Sequence, residues 1–156
     1  MRPAAAAVRG WFMPDESEPH KRTWMAFGAS ETIWGPKLLP EVQRNLAIIA
    51  QTIARFEPVS MLVRKTDLAL AKRLMGSSKV ELSEALLDDL WIRDTGPVFV
   101  TNDQGKRAAG DFNFNGWGGK QSFERDGEVA PFVAARAGVE TIETELVLTC
   151  SKSLVY

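Results

Sequence analysis

Trp91-Ile92-Arg93-Asp94-Thr95-Gly96-Pro97-Val98-Phe99-Val100 joins a tryptophan, a carboxylate and a Thr-Gly-Pro turn to an apolar strand signal. That signal runs on to Thr101. The turn-forming cluster Asn102-Asp103-Gln104-Gly105 then separates it from a second strand signal, Arg107 to Phe114, so a β-hairpin is expected. Asp94 sits three residues after Trp91 and directly before the turn, which lets both side chains face one pocket. An ionised carboxylate beside an aromatic ring suits a planar cation, because the carboxylate accepts paired N–H bonds and the ring adds a cation–π contact. The plainer alternative has Asp94 pairing with Arg93 or capping the turn while Trp91 fills the core. The residues alone favour that alternative.

Working back toward the N-terminus, Thr23 to Phe27 suits a short buried strand. Pro40 opens a helix signal, since first-turn proline is tolerated. Val42, Leu46, Ile49, Ile53 and Phe56 follow at spacings of 4, 3, 4 and 3, which puts them on one helical face, and Pro58 ends it. Val59 to Val63 reads as a buried strand. Thr66 to Met75 reads as a shorter helix, capped by Thr66 or Asp67 and stopped by Gly76. Val80 to Leu82 is a further short strand.

Beyond the hairpin, Asn115 to Lys120 (NGWGGK) is a glycine-rich loop, a helix runs from near Glu128 to Gly138, and Thr141 to Leu148 alternates like a final strand. The expected class is mixed α/β with short strands and hairpins, without the regular βαβ rhythm of a doubly wound domain. No low-complexity or Pro/Gly-rich linker divides the chain.

Two further clusters concentrate rare residue types: Met13-Pro14 through Glu18-Pro19-His20 to Trp24-Met25-Ala26, and Asp111 through Gly116-Trp117-Gly118-Gly119-Lys120. The second fails the phosphate-loop pattern, because Trp117 interrupts its glycines and Gln121 stands where Ser or Thr is needed. A tight loop with glycines at positive φ explains the glycines but not the large ring among them. His20, next to Pro19 and Lys21, reads as a surface or turn residue, since a general base needs a positioned partner.

Composition narrows the functional classes. Nineteen Lys and Arg against 20 Asp and Glu leave a net charge of −1, and no basic run is present, which argues against nucleic acid as a partner. The one cysteine, Cys150, forms no intramolecular disulfide and points to a reducing, cytoplasmic setting. One His and one Cys are too few soft ligands for a structural zinc site. No apolar run approaches the roughly 20 residues that span a bilayer, so no membrane partner is expected. Met1 to Gly10 reads as a flexible tail, with Pro3 and Arg9 interrupting any signal-like core and an organellar transit segment as the alternative.

Taken together, MPDESEPHKRTWMAF, WIRDTGPVFV and DFNFNGWGGK resemble, in order and spacing, the N-terminal landmarks of the agmatine deiminase family, which includes the bacterial type of peptidyl-arginine deiminase. The resemblance implies a partial pentein, an α/β propeller of ββαβ modules, here about the first two, over residues 11–148. It implies a hydrolase that converts agmatine and water to N-carbamoylputrescine and ammonia in polyamine synthesis. A thiolate would attack the guanidinium carbon, and two carboxylates would hold the cation. A small guanidine is the implied partner, with no metal or organic cofactor.

Residue by residue, Asp94 matches the first guanidinium-binding carboxylate, with a catalytic and binding role. Trp91 matches the aromatic that covers the substrate, and Trp117 the tryptophan of the glycine loop at the pocket rim. The resemblance reverses the order of the two readings of Asp94. Peptidyl-arginine or free arginine as substrate, or a non-catalytic guanidine-binding fragment, are the alternatives.

After Leu148 the expected Glu-Gly-Gly motif is replaced by residues 149–156, a non-family tail, and neither Cys150 nor His20 matches the family's catalytic Cys or His. A truncated form, inactive alone, is therefore expected. Uncovered strand edges and apolar faces would favour its self-association.

Overall fold

The computed structural model describes residues 10–15 and 17–147. Expectations for residues 1–9 and 148–156, Cys150 among them, fall outside those residues. In chain order the elements are β1 (Trp11–Phe12), β2 (Thr23–Phe27), α1 (Glu31–Ile53), β3 (Val59–Val63), α2 (Leu68–Met75), β4 (Val80–Glu84) and α3 (Ile92–Thr95). There follow β5 (Val98–Asn102), β6 (Arg107–Asp111), α4 (Gly116–Gly119), α5 (Val129–Ala137) and β7 (Glu140–Glu143). Two compact units meet in the chain between Ile92 and Arg93, inside α3, with no linker-like composition there.

The unit His20–Ile92 carries a parallel sheet in the order β2-β3-β4, with Thr23 opposite Val59 and Val59 opposite Val80. Its βαβαβ course corrects the expectation that no such rhythm is present. The pattern is faint in the sequence because α2 is only eight residues long and β4 (VELSE) alternates like an edge strand. Strands added successively in one direction through right-handed crossovers put both helices on one face. There Met25, Phe27, Val59, Met61 and Val63 pack with Ala47, Ala50, Ala71 and Met75. All five residues of the central strand β3 are buried, as expected of a parallel strand covered on both sides.

Helix α1 departs from expectation at its start and on its face. It begins before Pro40 and breaks at Gly35 (φ 68°, ψ 163°), so its long segment starts at Pro36, where a proline fits the first helical position. The buried stripe is Gln43, Ala47 and Ala50, flanked by Leu46, Ile53 and Ala54. Ile49 is 49% exposed, and Phe56 is 83% exposed in the turn after the helix ends. Periodicity weighted the bulky residues, whereas the two alanines let the helix lie close on the sheet. In α2 neither Thr66 nor Asp67 caps: the Asp67 carboxylate instead pairs with Arg64 Nε at 2.7 Å. Gly76 (φ 56°) ends the helix as expected.

In the unit that contains Arg93 onward, the sheet order is β1-β5-β6-β7. β5 and β6 form the expected antiparallel hairpin, and β7 joins β6 in parallel through α5, which packs on both. Its β5-β6-α5-β7 course is the ββαβ module that the resemblance implies. The hairpin turn closes through Asn102, whose side-chain oxygen accepts from the N–H groups of Gln104 (3.0 Å) and Lys106 (2.9 Å). β6 stops at Asp111 rather than Phe114, because the Asp111 carboxylate accepts the Asn113 N–H at 3.1 Å and Asn113 turns to φ 52°. β7 stops at Glu143, where the Asn113 carboxamide draws the carbonyls of Thr144 and Leu146 (2.5 and 3.0 Å) out of strand pairing.

Met61, fully buried in β3, and Phe56 therefore separate cleanly as test positions. Met61→Ala is expected to lower stability by about 2–5 kcal/mol. Phe56→Ser should change it by less than about 0.5 kcal/mol. Guanidinium chloride unfolding followed by circular dichroism reads both, and comparable losses would show that Phe56 is packed rather than exposed.

Candidate functional site

Trp91 lies in the first unit and is half-buried. Its ring stacks on Trp34, with centroids 6.0 Å apart and planes at 29°. Trp34 is itself held by its indole N–H, which donates to the buried Asp89 carboxylate at 2.9 Å. Gly28 admits this arrangement: a Cβ there would meet the Asp89 carbonyl oxygen at 2.0 Å. Trp34 and Asp89 were not singled out from the sequence. Asp88-Asp89 just before Trp91, and Trp34 before the Gly35-Pro36 break, were the available signals.

Asp94 and Trp117 lie in the second unit, where the Trp117 side chain is one of the groups that act on the Asp94 carboxyl. Burial pushes the Asp94 carboxyl above its ordinary value, while the Trp117 side chain and the Arg93 charge draw it down. The Arg93 pairing of the plainer reading is thus present as an electrostatic contribution. Asp94 heads no strand; it sits in the single helical turn α3.

The glycine loop is a left-handed turn. Gly116, Trp117, Gly118 and Gly119 all have positive φ (66°, 56°, 79° and 76°), a region that glycine enters freely and tryptophan rarely. Three hydrogen bonds hold it: Gly118 N–H to the Asn115 side chain (2.9 Å), Gly119 N–H to the Asn115 carbonyl (2.9 Å) and Lys120 N–H to the Gly116 carbonyl (2.8 Å). The Trp117 ring meets Phe114 edge to face, centroids 5.1 Å apart. At Gly116 a Cβ would lie 2.3 Å from the Gln121 carbonyl oxygen, so this glycine is required by space as well as by φ.

The first motif is structural in this arrangement. His20 and Thr23 both engage the Glu57 carboxylate, and Arg22 reaches the Ser60 hydroxyl and, at 2.6 Å, Glu81. These contacts fasten β2 to the residues around β3 and β4. Asp111 is also pushed upward by burial, with Glu128 and Glu143 adding repulsion against the pull of the Asn113 N–H. Among the described residues no group of His, Cys, Asp and Glu side chains could hold a metal ion, and no helix is long and apolar enough to cross a membrane.

Residues 12–151 match the family of Porphyromonas-type peptidyl-arginine deiminases. The agmatine deiminase of Stutzerimonas stutzeri is 37% identical over 126 residues, 78% of this chain and 34% of its own length. That of Ectopseudomonas mendocina is 34% identical over 141 residues, 87% and 38% of the respective chains. The solved agmatine deiminase of Enterococcus faecalis superposes with a TM-score of 0.82 at 30% identity, covering 89% of this chain and 39% of its own. The chain thus spans well under half the length of the relatives it matches.

Asp94→Asn tests the electrostatics directly. A carboxylate raised on folding costs stability as pH climbs through the window from its ordinary value of 3.8 to its raised one, and that cost persists above the window. Asn keeps the size and removes the charge. The variant is expected to melt higher than the parent at pH 7, with the gain fading as the pH falls below the ordinary carboxylate value. An unchanged or lower melting temperature at pH 7 would contradict the burial of this charge.

Proposed function

This chain belongs to the Porphyromonas-type peptidyl-arginine deiminase family, and from that premise we propose that it supplies the first guanidinium-binding elements of an agmatine deiminase. Over the part it spans it has the α/β pentein fold of agmatine deiminases. The observation that carries the reading is the half-buried Asp94 carboxylate, in the motif that resembles the family's, with Trp117 of the glycine turn acting on it.

In this reading Asp94 accepts guanidinium N–H bonds, fixes the plane of the cation and favours positive charge at the carbon to be attacked. Trp91, braced by Trp34, presents a ring to the cation face. Trp117 borders the same guanidine. The reaction is hydrolytic loss of ammonia from agmatine, giving N-carbamoylputrescine, in a cytoplasmic setting that the lone cysteine favours. The nucleophile, general base and second carboxylate are not among the described residues and are expected from the remainder of a protein of the relatives' length. Asp94 recognises only the guanidinium, which agmatine and arginine share, so a peptidyl- or free-arginine substrate draws on the same residues.

The test uses this segment joined to the remaining length of a family member. Asp94→Asn is expected to lower kcat/KM for agmatine by an amount on the order of 2–5 kcal/mol, because it removes one charge of a buried pair. Trp91→Phe should retain more activity than Trp91→Ala, since a smaller ring keeps part of the cation–π attraction. Near-parental turnover and affinity in Asp94→Asn would assign that carboxylate to the turn alone.

A further inference from the structure

We propose that Asp89 and Trp34 are positioning residues for Trp91, and that the Gly35 break in α1 is what lets Trp34 reach both. The inference rests on the reading of Trp91 as the ring that covers the cation, and it adds what aims that ring.

An unbroken helix would fix the direction of Trp34 by its own periodicity. Instead Gly35, at φ 68° and ψ 163°, cuts the turn 31–34 off from the long segment of α1, in a region that glycine alone enters readily. Pro36 follows, and it disfavours helical backbone at the residue before it. A detached turn holds itself poorly, because it orders several torsions for few hydrogen bonds. Ile33 and Trp34 donate their N–H groups to the Ser30 carbonyl at 3.2 and 2.9 Å, and the Ser30 side chain adds no cap. The Trp34 side chain supplies further anchorage. Its indole N–H donates to Asp89 Oδ1 at 2.9 Å, and its ring stacks on Trp91 with centroids 6.0 Å apart.

Asp89 is suited to anchor that donor. It is 1% exposed, and its carbonyl oxygen lies where a Cβ on Gly28 would meet it at 2.0 Å, so its backbone is seated against the exit of β2. Filling space beside Trp91 needs only a ring, and phenylalanine would serve. Tryptophan adds the N–H, which fixes the direction of the ring as well as its place. A ring held in this way limits the rotamers open to Trp91 on the stacked side. Binding a cation then orders less of the protein, which favours affinity. Both rings stay half-buried, so the pair keeps accessible surface.

The experiment reads the ring pair itself. Two indoles 6.0 Å apart couple their strong ultraviolet transitions, and the resulting far-ultraviolet circular-dichroism couplet depends on their angle and separation. In the 156-residue chain, its loss in Trp34→Phe and in Trp91→Phe assigns it. Asp89→Leu removes the acceptor and keeps both indoles, whereas Asp89→Asn keeps an acceptor oxygen. Gly35→Ala meets open space but is strained at φ 68°, so it turns Trp34 away with Asp89 intact. The couplet is expected to be lost in Asp89→Leu and Gly35→Ala and retained in Asp89→Asn. In the protein extended to family length, Trp34→Phe should raise KM for agmatine about 2- to 30-fold, the span of a cation–π contact. Its kcat should move less, because the substrate is cationic before and during attack.

A parent chain without such a couplet, or a parental couplet in Asp89→Leu, overturns the proposal. If Asp89→Leu does not fold, a parental couplet in Gly35→Ala overturns it. Kinetics separate the two readings. A parental KM in Trp91→Ala rejects Trp91 as the cover, and the proposal falls with it. A raised KM in Trp91→Ala beside a parental KM in Trp34→Phe keeps the cover and rejects the positioning.

Discussion

Burial of β3 on both faces is the constraint on which the His20–Ile92 unit depends. Its five residues have no exposed side, so their backbone groups must be satisfied by β2 and β4, and that fixes all three strands in register. The segments that leave the carboxyl ends of the strands are then fastened to one another. Arg64, just past β3, donates to the Ala29 carbonyl beyond β2 at 2.6 Å. Ala85, just past β4, donates its N–H to the Val63 carbonyl at 3.0 Å. Gly28 lets the Asp89 backbone pass against β2's exit, and Asp89 holds Trp34, on which Trp91 stacks. The aromatic pair thus lies beyond the carboxyl ends of parallel strands, where open α/β sheets place ligand sites.

The Arg93-onward unit reaches its aromatic group by another route. Its hairpin ends early because Asp111 and Asn113 turn the chain, and the polypeptide then enters four successive positive-φ residues. Those torsions are unfavourable for Trp117 and easy for its three glycine neighbours, so the strain is concentrated on one residue whose side chain has a partner to meet. Burial of Asp94 works against stability in the same place. A charge that folding disfavours lies on Asp94 and a backbone that sequence disfavours on Trp117, which is the pattern expected where specificity is retained at the expense of stability.

Where bulk and burial coincide, the sequence was legible to the residue: β2 and β3 run over the expected Thr23–Phe27 and Val59–Val63. The hairpin was legible because Asn102 and Gly105 are turn residues for reasons local to the chain. The face of α1 was not, since alanine contributes little to an apolar pattern yet permits the closest approach to a sheet. Asp94 and Trp117 were legible as members of motifs, but not the left-handed turn at Trp117, whose handedness is unreadable from composition. Trp34 and Asp89 escaped because their pairing spans 55 positions.

Two carboxylates show how burial changes what such a group can do. Trp34 donates to Asp89, which is 1% exposed, whereas Asp94 is half-buried. A carboxylate enclosed as fully as Asp89 spends its acceptor capacity on the protein around it, so its indole serves to lock a ring in place. Partial exposure changes that. Asp94 is desolvated enough for its charge to matter and open enough that lone pairs remain for a group from outside the chain. Full burial would close the site, and full exposure would let water screen the charge. In the reading proposed for Asp94, its intermediate placement on the helical turn α3 gives a carboxylate both reach and strength toward a planar cation.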